Sequence, residues 1–343
     1  MIGTEFIKGQ GLGNQLLVLV TAKALAKKYG YEFGTASQEK FAMNIHNDKG
    51  MYFMDVDLGY NITPEEKEKM KHYDEKEVRL YLGTGVHDMT HGCYVAGVDD
   101  YLLNDLEDNT LIYGNLQAGA YFDEYKDEFK EWLKVKPEFD SYEYSQDDLC
   151  IINVRGGEYA GAPYLFLDRK YFLNAMKKMR QINPNMRFMV VTDDEHSAKR
   201  VLPEIEAHHF DMGKDYVTVK NAKYLILSNS SFALLPAYTN EVAKYIIAPK
   251  YWARHNVSDG YWASEQNIYD LFNYMDRKGR IFTADECRVE LEEYKKNSKR
   301  YKKDIVNSTG IKRFIQNIQR RLLLVPFWTK RIFVSVWKRV VLR

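Results

Sequence analysis

Cysteine is scarce in this sequence, and long apolar runs are absent from it. Three cysteines occur among 343 residues, and neither a CxxC pair nor metal-ligand spacing links Cys93, Cys150 and Cys287. This count excludes a disulfide framework, and we expect reduced, buried thiols of a cytosolic protein. No apolar run approaches the roughly 20 residues that span a bilayer. Because the first residues lack a basic region and an apolar core, we also expect no secretory signal.

Histidine motifs for metal binding are absent as well. The eight histidines show no HxxxH or HExxH spacing, and the adjacent His208 and His209 are expected to point to different faces. Asp55-Val56-Asp57 keeps a metal alternative open, because two hard carboxylates can hold Mg²⁺ or Mn²⁺ beside a diphosphate. Such a triplet also arises by chance in a chain this acidic. We expect no metal and no cofactor.

The composition is that of a soluble globular protein, with 45% hydrophobic and 28% charged residues. The length predicts two domains of roughly 150 residues each. The net charge of +1 hides an uneven distribution, because residues 305–343 hold nine Lys or Arg and no Asp or Glu. The rest of the chain is therefore about −8, and two parts of opposite charge are expected to meet different partners.

Residues 311–343 form the basic tail, which has the pattern of two amphipathic helices interrupted at Pro326. Apolar residues share one helical face with basic residues beside it, as in helices that lie in an anionic membrane surface. Each basic residue near such a surface contributes roughly 1 kcal/mol. The alternative is that these apolar faces pack on the body as core. Nucleic-acid binding is not expected, because the body is acidic.

The N-terminal stretch FIKGQGLGNQLLVLVTAKALAKKYG predicts a strand at residues 6–7, a glycine turn, and an apolar helix over residues 16–25 closed by Gly30. A strand that enters a helix through Gly9, Gly11 and Gly13 directs free N–H groups and the positive end of the helix dipole at one point, which suits an anion.

This turn resembles the dinucleotide fingerprint only in part. Glu32 lies at a plausible distance for the acidic residue, but Asn14 occupies the place of the third glycine. A dinucleotide site, another kind of phosphate turn and a purely structural turn all remain open at this point.

Residues 35–133 give a less regular pattern. Strand-like GMYFMDV and GCYVAGV flank a polar helix near TPEEKEKMKHY, and YFDEYKDEFKEWLKV has helical spacing. From residue 149, strands alternate with helices: LCIINV, a helix at about 169–182, RFMVVTDD, a helix from about Glu195, strand-like YVTV, then strand, polar turn and helix in AKYLILSNSSFALLPAYTN, and finally KYIIAP.

This alternation predicts an α/β protein with two doubly wound, Rossmann-like domains. We place them at residues 1–145 and 146–280, with a helical, basic extension at 281–343. No sequence repeat is visible between the halves.

Three predicted strands of the second half end in polar clusters. The first ends with Asn153, Arg155 and Glu158, and the second with Asp193 and Asp194. The third ends with Ser228, Ser230 and Ser231. Parallel strands bring their carboxyl ends to one edge, where ligands bind. An arginine fork can hold a phosphate, a carboxylate can accept the N–H groups of a guanine, and serines can donate to phosphate. Together these groups describe a nucleoside diphosphate site.

At these positions the chain resembles the α-1,2-fucosyltransferase family. Gly11, Leu12, Gly13, Asn14 and Gln15 match its Gly-Leu-Gly-Asn-Gln turn. NVRGGEY resembles the H-x-R-R-G-D-Y motif, retaining Arg155, Gly157 and Tyr159. The Asp193-Asp194 pair, NSSFALLPAY and GNLQAGAYF match further segments, so the similarity runs in order over roughly residues 5–255.

The resemblance implies a fold of the GT-B type and a metal-independent, inverting enzyme that uses GDP-fucose or another nucleotide sugar. It implies that Arg155 binds the donor β-phosphate and that Asn153 and Asp193 share the work at the base. Gly11, Gly13, Asn14, Gln15, Asp194, Ser228, Ser230 and Ser231 are the other predicted binding residues. Asn153, Gly156 and Glu158 replace the motif's histidine, second arginine and aspartate, so one positive charge is missing.

Glu158 is the nearest candidate for the general base, with a structural carboxylate as the alternative. We expect transfer of fucose to a glycan hydroxyl, such as galactose O2, in surface polysaccharide or O-antigen synthesis. A lipid-linked acceptor and a peripheral location on the inner face of the cytoplasmic membrane would suit the basic tail. The alternatives are an NAD-dependent oxidoreductase using the N-terminal turn and a non-catalytic glycan-binding relative.

Overall fold

A computed structural model describes residues 1–43, 47–75, 79–81, 94–95, 98–161, 166–250, 268–297 and 301–303. The first half of the chain forms the elements β1 (Ile2–Glu5), α1 (Leu12–Tyr29), β2 (Phe33–Ala36), a 3-10 turn (Gln38–Lys40), β3 (Met54–Asp55), β4 (Tyr60–Ile62), α2 (Pro64–Lys67), β5 (Lys71–Asp74), β6 (Arg79–Tyr81), β7 (Tyr94–Val95), α3 (Asp100–Asn104), β8 (Thr110–Tyr113), two 3-10 helices (Gly119–Tyr121 and Asp123–Glu128), α4 (Phe129–Trp132) and β9 (Lys134–Val135). Five of these strands form a parallel sheet in the order β4-β2-β1-β8-β5.

The second half forms β10 (Leu149–Val154), a 3-10 turn (Gly157–Gly161), α5 (Arg169–Ile182), β11 (Arg187–Thr192), α6 (Glu195–Val201), β12 (Ala207–His208), α7 (Met212–Lys220), β13 (Tyr224–Ile226), α8 (Ser231–Tyr238), β14 (Tyr245–Pro249), β15 (Asn273–Met275), β16 (Ile281–Phe282), α9 (Ala284–Asn297) and β17 (Tyr301–Lys303). The order is β12-β11-β10-β13-β14-β15-β16, and every pair is parallel except β15 with β16. The first six strands have the 3-2-1-4-5-6 order of doubly wound dinucleotide-binding domains. The predicted pair of parallel α/β sheets is confirmed.

This strand order places a topological switch point between β10 and β13, where a ligand crevice opens beyond the carboxyl ends. All six residues of β10 are buried, as expected of a central parallel strand covered on both faces. The helix α1 is also buried over most of its surface, because it packs against the first sheet and against α8 of the second half. One hydrophobic core cluster accordingly contains residues from both halves.

Several predicted elements are confirmed, namely the strands LCIINV and KYIIAP, the helix over 169–182 and the helix from Glu195. Others were wrong. YVTV lies inside α7, because Asp211 caps that helix through the Lys214 N–H and burial of its valines outweighs their β propensity.

In the first half, β1 ends at Glu5 rather than covering residues 6–7, and α1 starts at Leu12. The polar helix stops at Lys67, and the helical stretch after residue 122 is mostly 3-10, with a kink at Tyr125. The domain boundaries after residues 145 and 280 stay predictions, and the basic tail lies outside the described residues.

Candidate donor-binding site

A cavity of about 380 Å³ lies between the start of α1 and the carboxyl ends of β10 to β13. Its size is within the range of small-molecule sites. The lining comes from both halves of the chain: Gly9, Gln10, Gly11, Leu12, Gly13, Asn14, Asn153, Arg155, Tyr159, Val191, Thr192, Asp193, His209, Met212, Asp215, Ser230, Ser231 and Phe232. The N-terminal glycine turn and the polar strand ends therefore face each other.

Arg155 leaves the end of β10 and reaches across to the end of β11. Its Nη1 lies 2.8 Å from Asp193 Oδ2, an ion pair that lacks the alignment of a hydrogen bond. The Asp193 Oδ1 accepts the backbone N–H of Gly156 at 2.7 Å, so this carboxylate also holds the glycine turn. The guanidinium lies over the Tyr159 ring, 5.4 Å from its centroid. Because a guanidinium has five N–H donors, Arg155 can keep these contacts and still bind a phosphate.

Two helices begin at this cavity without a side-chain cap. Neither Gly11 before α1 nor Ser230 before α8 caps its helix, and neither first turn contains an acidic residue. Six other described helices do have a capping side chain that accepts a backbone N–H, supplied by Thr63, Asp99, Asp168, Asp194, Asp211 and Thr283. The uncapped N–H groups and the positive dipole ends at the cavity favour an anion.

Close packing holds these two helix starts together. A Cβ on Gly13 would lie 2.2 Å from the Ser231 carbonyl carbon and 2.4 Å from the Phe232 nitrogen, so only glycine allows this approach. Gly156, which stands in place of the motif's second arginine, is similarly confined: a Cβ there would lie 2.8 Å from the Asp194 Cβ. The missing positive charge therefore cannot be restored at position 156 without moving the start of α6.

His209 and Asp215 form a pair in the cavity wall that the sequence reasoning missed. His209 Nδ1 lies 2.8 Å from Asp215 Oδ2, and Asp215 Oδ1 accepts the Phe210 N–H at 3.2 Å. Burial raises the pKa of Asp215 to about 6. The sequence shows that His208 and His209 are adjacent, but a spacing of six residues between His209 and Asp215 does not predict a contact. The two side chains meet only when β12 and α7 fold against each other.

The cavity brings together eight of the predicted site residues: Gly11, Gly13, Asn14, Asn153, Arg155, Asp193, Ser230 and Ser231. Three others lie behind it. Gln15 is fully buried and bonds the Lys40 carbonyl and the Ala42 N–H. Asp194 caps α6, and hydrogen bonding to Ser197 holds its pKa below the ordinary value. Ser228 bridges Asn153 and Arg155.

Glu158 lies in the 3-10 turn Gly157–Gly161, directly after Arg155 and Gly156, and its side chain is outside the described part of the structure. Its role as general base stays a prediction.

The Asp-x-Asp alternative has a different setting. Asp57 is exposed and pairs with Lys23 at 2.9 Å, and Asp55 lies 3.9 Å from Lys136. Neither residue lines the cavity. Within the described ranges, no cluster of three or more His, Cys, Asp or Glu side chains is arranged to hold a metal ion.

The two thiols in the described part of the chain, Cys150 and Cys287, are buried as expected, and Cys93 lies outside it. Among the described helices, none combines the length and hydrophobicity required to cross a bilayer.

The strand order and the cavity are those of a nucleotide-binding α/β protein, and the sequence match specifies the class as glycosyltransferase. Residues 120–274, a little under half of the chain, match the model of glycosyl transferase family 11. The resemblance to the α-1,2-fucosyltransferase family is thus confirmed over these residues. The N-terminal glycine turn lies outside the matched residues.

Solved structures with a related fold include the fucosyltransferase NodZ from Bradyrhizobium, at 12% identity and a TM-score of 0.40, with 71% of this chain and 94% of that chain covered. POFUT1 in complex with GDP matches at 11% identity and a TM-score of 0.42, with 72% and 97% covered. No curated protein sequence matches the chain. The resemblance to the family is carried by the sequence match and not by these distant likenesses.

Proposed function

We propose that this enzyme transfers L-fucose from GDP-fucose to a hydroxyl of a glycan acceptor, with inversion at the anomeric carbon. The observation that carries the proposal is the convergence of Arg155 and two uncapped helix starts on one cavity. A diphosphate is the part of the donor that this combination of charge and N–H donors suits best.

We use the strand order to orient the donor in this cavity. Arg155 and Ser231 follow the neighbouring strands β10 and β13, whereas His209 follows the edge strand β12. Strands lie about 4.8 Å apart, so β12 and β13 are separated by roughly 14 Å. We therefore assign the diphosphate to the Arg155 end and the nucleobase to the His209–Asp215 end.

Asp215 supports guanine as that base. An ionised carboxylate has about four acceptor positions, and two of those on Asp215 are used by His209 and Phe210. The remaining positions can accept the neighbouring ring and amino N–H groups of guanine. This differs from the sequence-based expectation for Asp193, whose carboxylate is engaged by Arg155 and Gly156.

The chemistry at the sugar is a direct displacement. The acceptor oxygen forms a bond to the anomeric carbon while the bond to the β-phosphate oxygen breaks, so negative charge grows on the departing GDP. We assign the stabilisation of that charge to Arg155 and to the N–H groups at Gly13 and Ser231, which all line the cavity. We assign the hydroxyl proton to Glu158, which lies three positions after Arg155 in the 3-10 turn Gly157–Gly161.

Turnover of a nucleotide-sugar panel by the wild type and by Arg155→Ala tests the proposal. We expect GDP-fucose to be the best donor and the variant to be roughly 100-fold to 1,000-fold slower, as when an oxyanion donor is lost. Arg187→Ala is the matched control, because Arg187 pairs with Asp148 at the opposite end of β11. Full activity of Arg155→Ala would contradict the proposal.

Two further outcomes would favour the alternatives. Binding of a nicotinamide cofactor without GDP binding would support the oxidoreductase, and GDP-fucose binding without hydrolysis or transfer would support a non-catalytic glycan-binding relative.

For the acceptor, we propose galactose O2 of a lipid-linked surface polysaccharide or O-antigen precursor. The proposal includes a peripheral location on the inner face of the cytoplasmic membrane, reached through the basic tail. Co-sedimentation of the full chain with anionic and zwitterionic vesicles tests this location. Equal binding to both, or no loss of binding at high salt, would contradict it.

A further inference from the structure

A single hydroxyl joins the two strand ends at the switch point. Ser228 Oγ donates to Asn153 Oδ1 at 2.7 Å and accepts the backbone N–H of Arg155 at 3.0 Å. Ser228 is 4% exposed and does not line the cavity, whereas Asn153 and Arg155 do. The buried Ser228 hydroxyl therefore contacts two residues that line the cavity, without lining the cavity itself.

These hydrogen bonds fix the direction of the Asn153 amide. A serine hydroxyl has one proton, and here the proton is used on Asn153 Oδ1. With its oxygen turned to Ser228, the amide presents its two Nδ2 hydrogens on the other side, as donors. The same hydroxyl anchors the backbone at Arg155, so both residues depend on one atom.

Asn153 and Arg155 both line the cavity. Asn153 lies near the end of β10, and Arg155 directly follows the last residue of that strand, Val154. An N–H donor in the cavity that Arg155 lines suits a phosphate oxygen, which differs from the base contact that the family resemblance implies for Asn153. The Asn153 amide would add a neutral donor, whereas the second arginine of the family motif is replaced here by Gly156.

We propose that Ser228 is a positioning residue that turns the Asn153 amide hydrogens toward the diphosphate and fixes the Arg155 turn. This inference rests on the proposed nucleotide-sugar function. It predicts that the contributions of Ser228 and Asn153 to nucleotide affinity are coupled and not independent.

The test measures dissociation constants for GDP and guanosine by calorimetry, with Ser228→Ala, Asn153→Ala and the double variant. We expect GDP affinity to fall about tenfold in each single variant, the range of one hydrogen bond. We expect a similar loss in the double variant, and guanosine affinity should stay within twofold. Asn153→Asp keeps the acceptor for Ser228 but removes the donors, so it should fold like the wild type and bind GDP at least tenfold more weakly.

Ser197→Ala is the matched control, because Ser197 is an equally buried serine whose hydroxyl donates to the capping carboxylate of Asp194. Its GDP affinity should stay within twofold. Unchanged GDP affinity in Ser228→Ala, losses that multiply in the double variant, or an equal loss for guanosine would overturn the inference. If the wild type itself binds no GDP, the proposed function fails instead.

Discussion

Replacing Gly13 by alanine should force apart the two helix starts that form the phosphate end of the cavity. The new Cβ would lie 2.2 Å from the Ser231 carbonyl carbon, 2.3 Å from its oxygen and 2.4 Å from the Phe232 nitrogen. Non-bonded carbon atoms prefer about 3.5–4.0 Å, so the backbones must separate by more than about 1 Å. All three contacts are with backbone atoms, and no rotamer change can relieve them.

Two magnitudes follow from this displacement. Overpacking of a close contact costs about 1–3 kcal/mol, which lowers Tm by roughly 2–12 °C for domains of this size. Moving the N–H groups away from a phosphate removes a charge-assisted hydrogen bond worth about 1.5–3 kcal/mol, so GDP should bind roughly 10-fold to 100-fold more weakly.

Thermal unfolding with and without GDP, combined with calorimetric titration, measures both effects. Gly11→Ala is the control from the same motif, because a Cβ on Gly11 meets no atom within 4 Å and its φ of −65° is open to any residue. Its Tm should stay within about 1 °C of the wild type, since the substitution is unstrained. If Gly13→Ala and Gly11→Ala show the same Tm and the same GDP affinity, the close helix approach is refuted.

Further tests concern protonation, the contact between the two halves, metal and thiols. GDP affinity should fall as pH drops through about 6, where Asp215 becomes protonated, and Asp215→Asn should abolish this dependence. Because the pKa of Asp215 is raised in the folded state, the free energy of unfolding should decrease as pH rises from 3.8 to about 6. Asp215→Asn should remove this decrease as well. A flat affinity profile in the wild type would contradict the base assignment. Tyr52→Phe should destabilise by about 1–2 kcal/mol in denaturant titrations, because the hydroxyl donates to Asp211 at 2.6 Å and accepts the Gly213 N–H at 2.9 Å; an unchanged midpoint would argue against this bridge. Turnover should be insensitive to a chelator, and sensitivity would point to Asp55 and Asp57. Cys150 should react with thiol reagents only on unfolding, because burial raises its pKa; fast labelling of the folded enzyme would contradict its placement.

Local sequence pattern was sufficient for much of the second half. The uniformly apolar run of β10 and the amphipathic spacing of α5 each specify an element without help from distant residues. Where pattern and packing conflicted, packing prevailed. The β-branched stretch YVTV became part of α7, because burial against distant elements outweighs a propensity of a few tenths of a kcal/mol per residue.

Some residues of the candidate site could also be predicted from the sequence, and others could not. The sequence was sufficient to predict that Arg155, Asn153 and Asp193 lie together, because the carboxyl ends of parallel strands meet at one edge. His209 and Asp215 could not, because their pairing depends on the angle at which α7 leaves β12. Gln15, Asp194 and Ser228 were also predicted to bind the ligand; each forms hydrogen bonds to protein groups, and none of them lines the cavity.

The sequence by itself determined the alternation of strands and helices, the N-terminal glycine turn and the arginine after a buried strand, because these depend on residue type and short spacing. Only the tertiary structure decided that Gly13 touches Ser231, that two helix starts share one cavity, and that a hydroxyl just after β13 donates to an amide on β10. Such contacts join residues 75 to more than 200 positions apart, and their distances are set by the packing of whole elements rather than by any local preference.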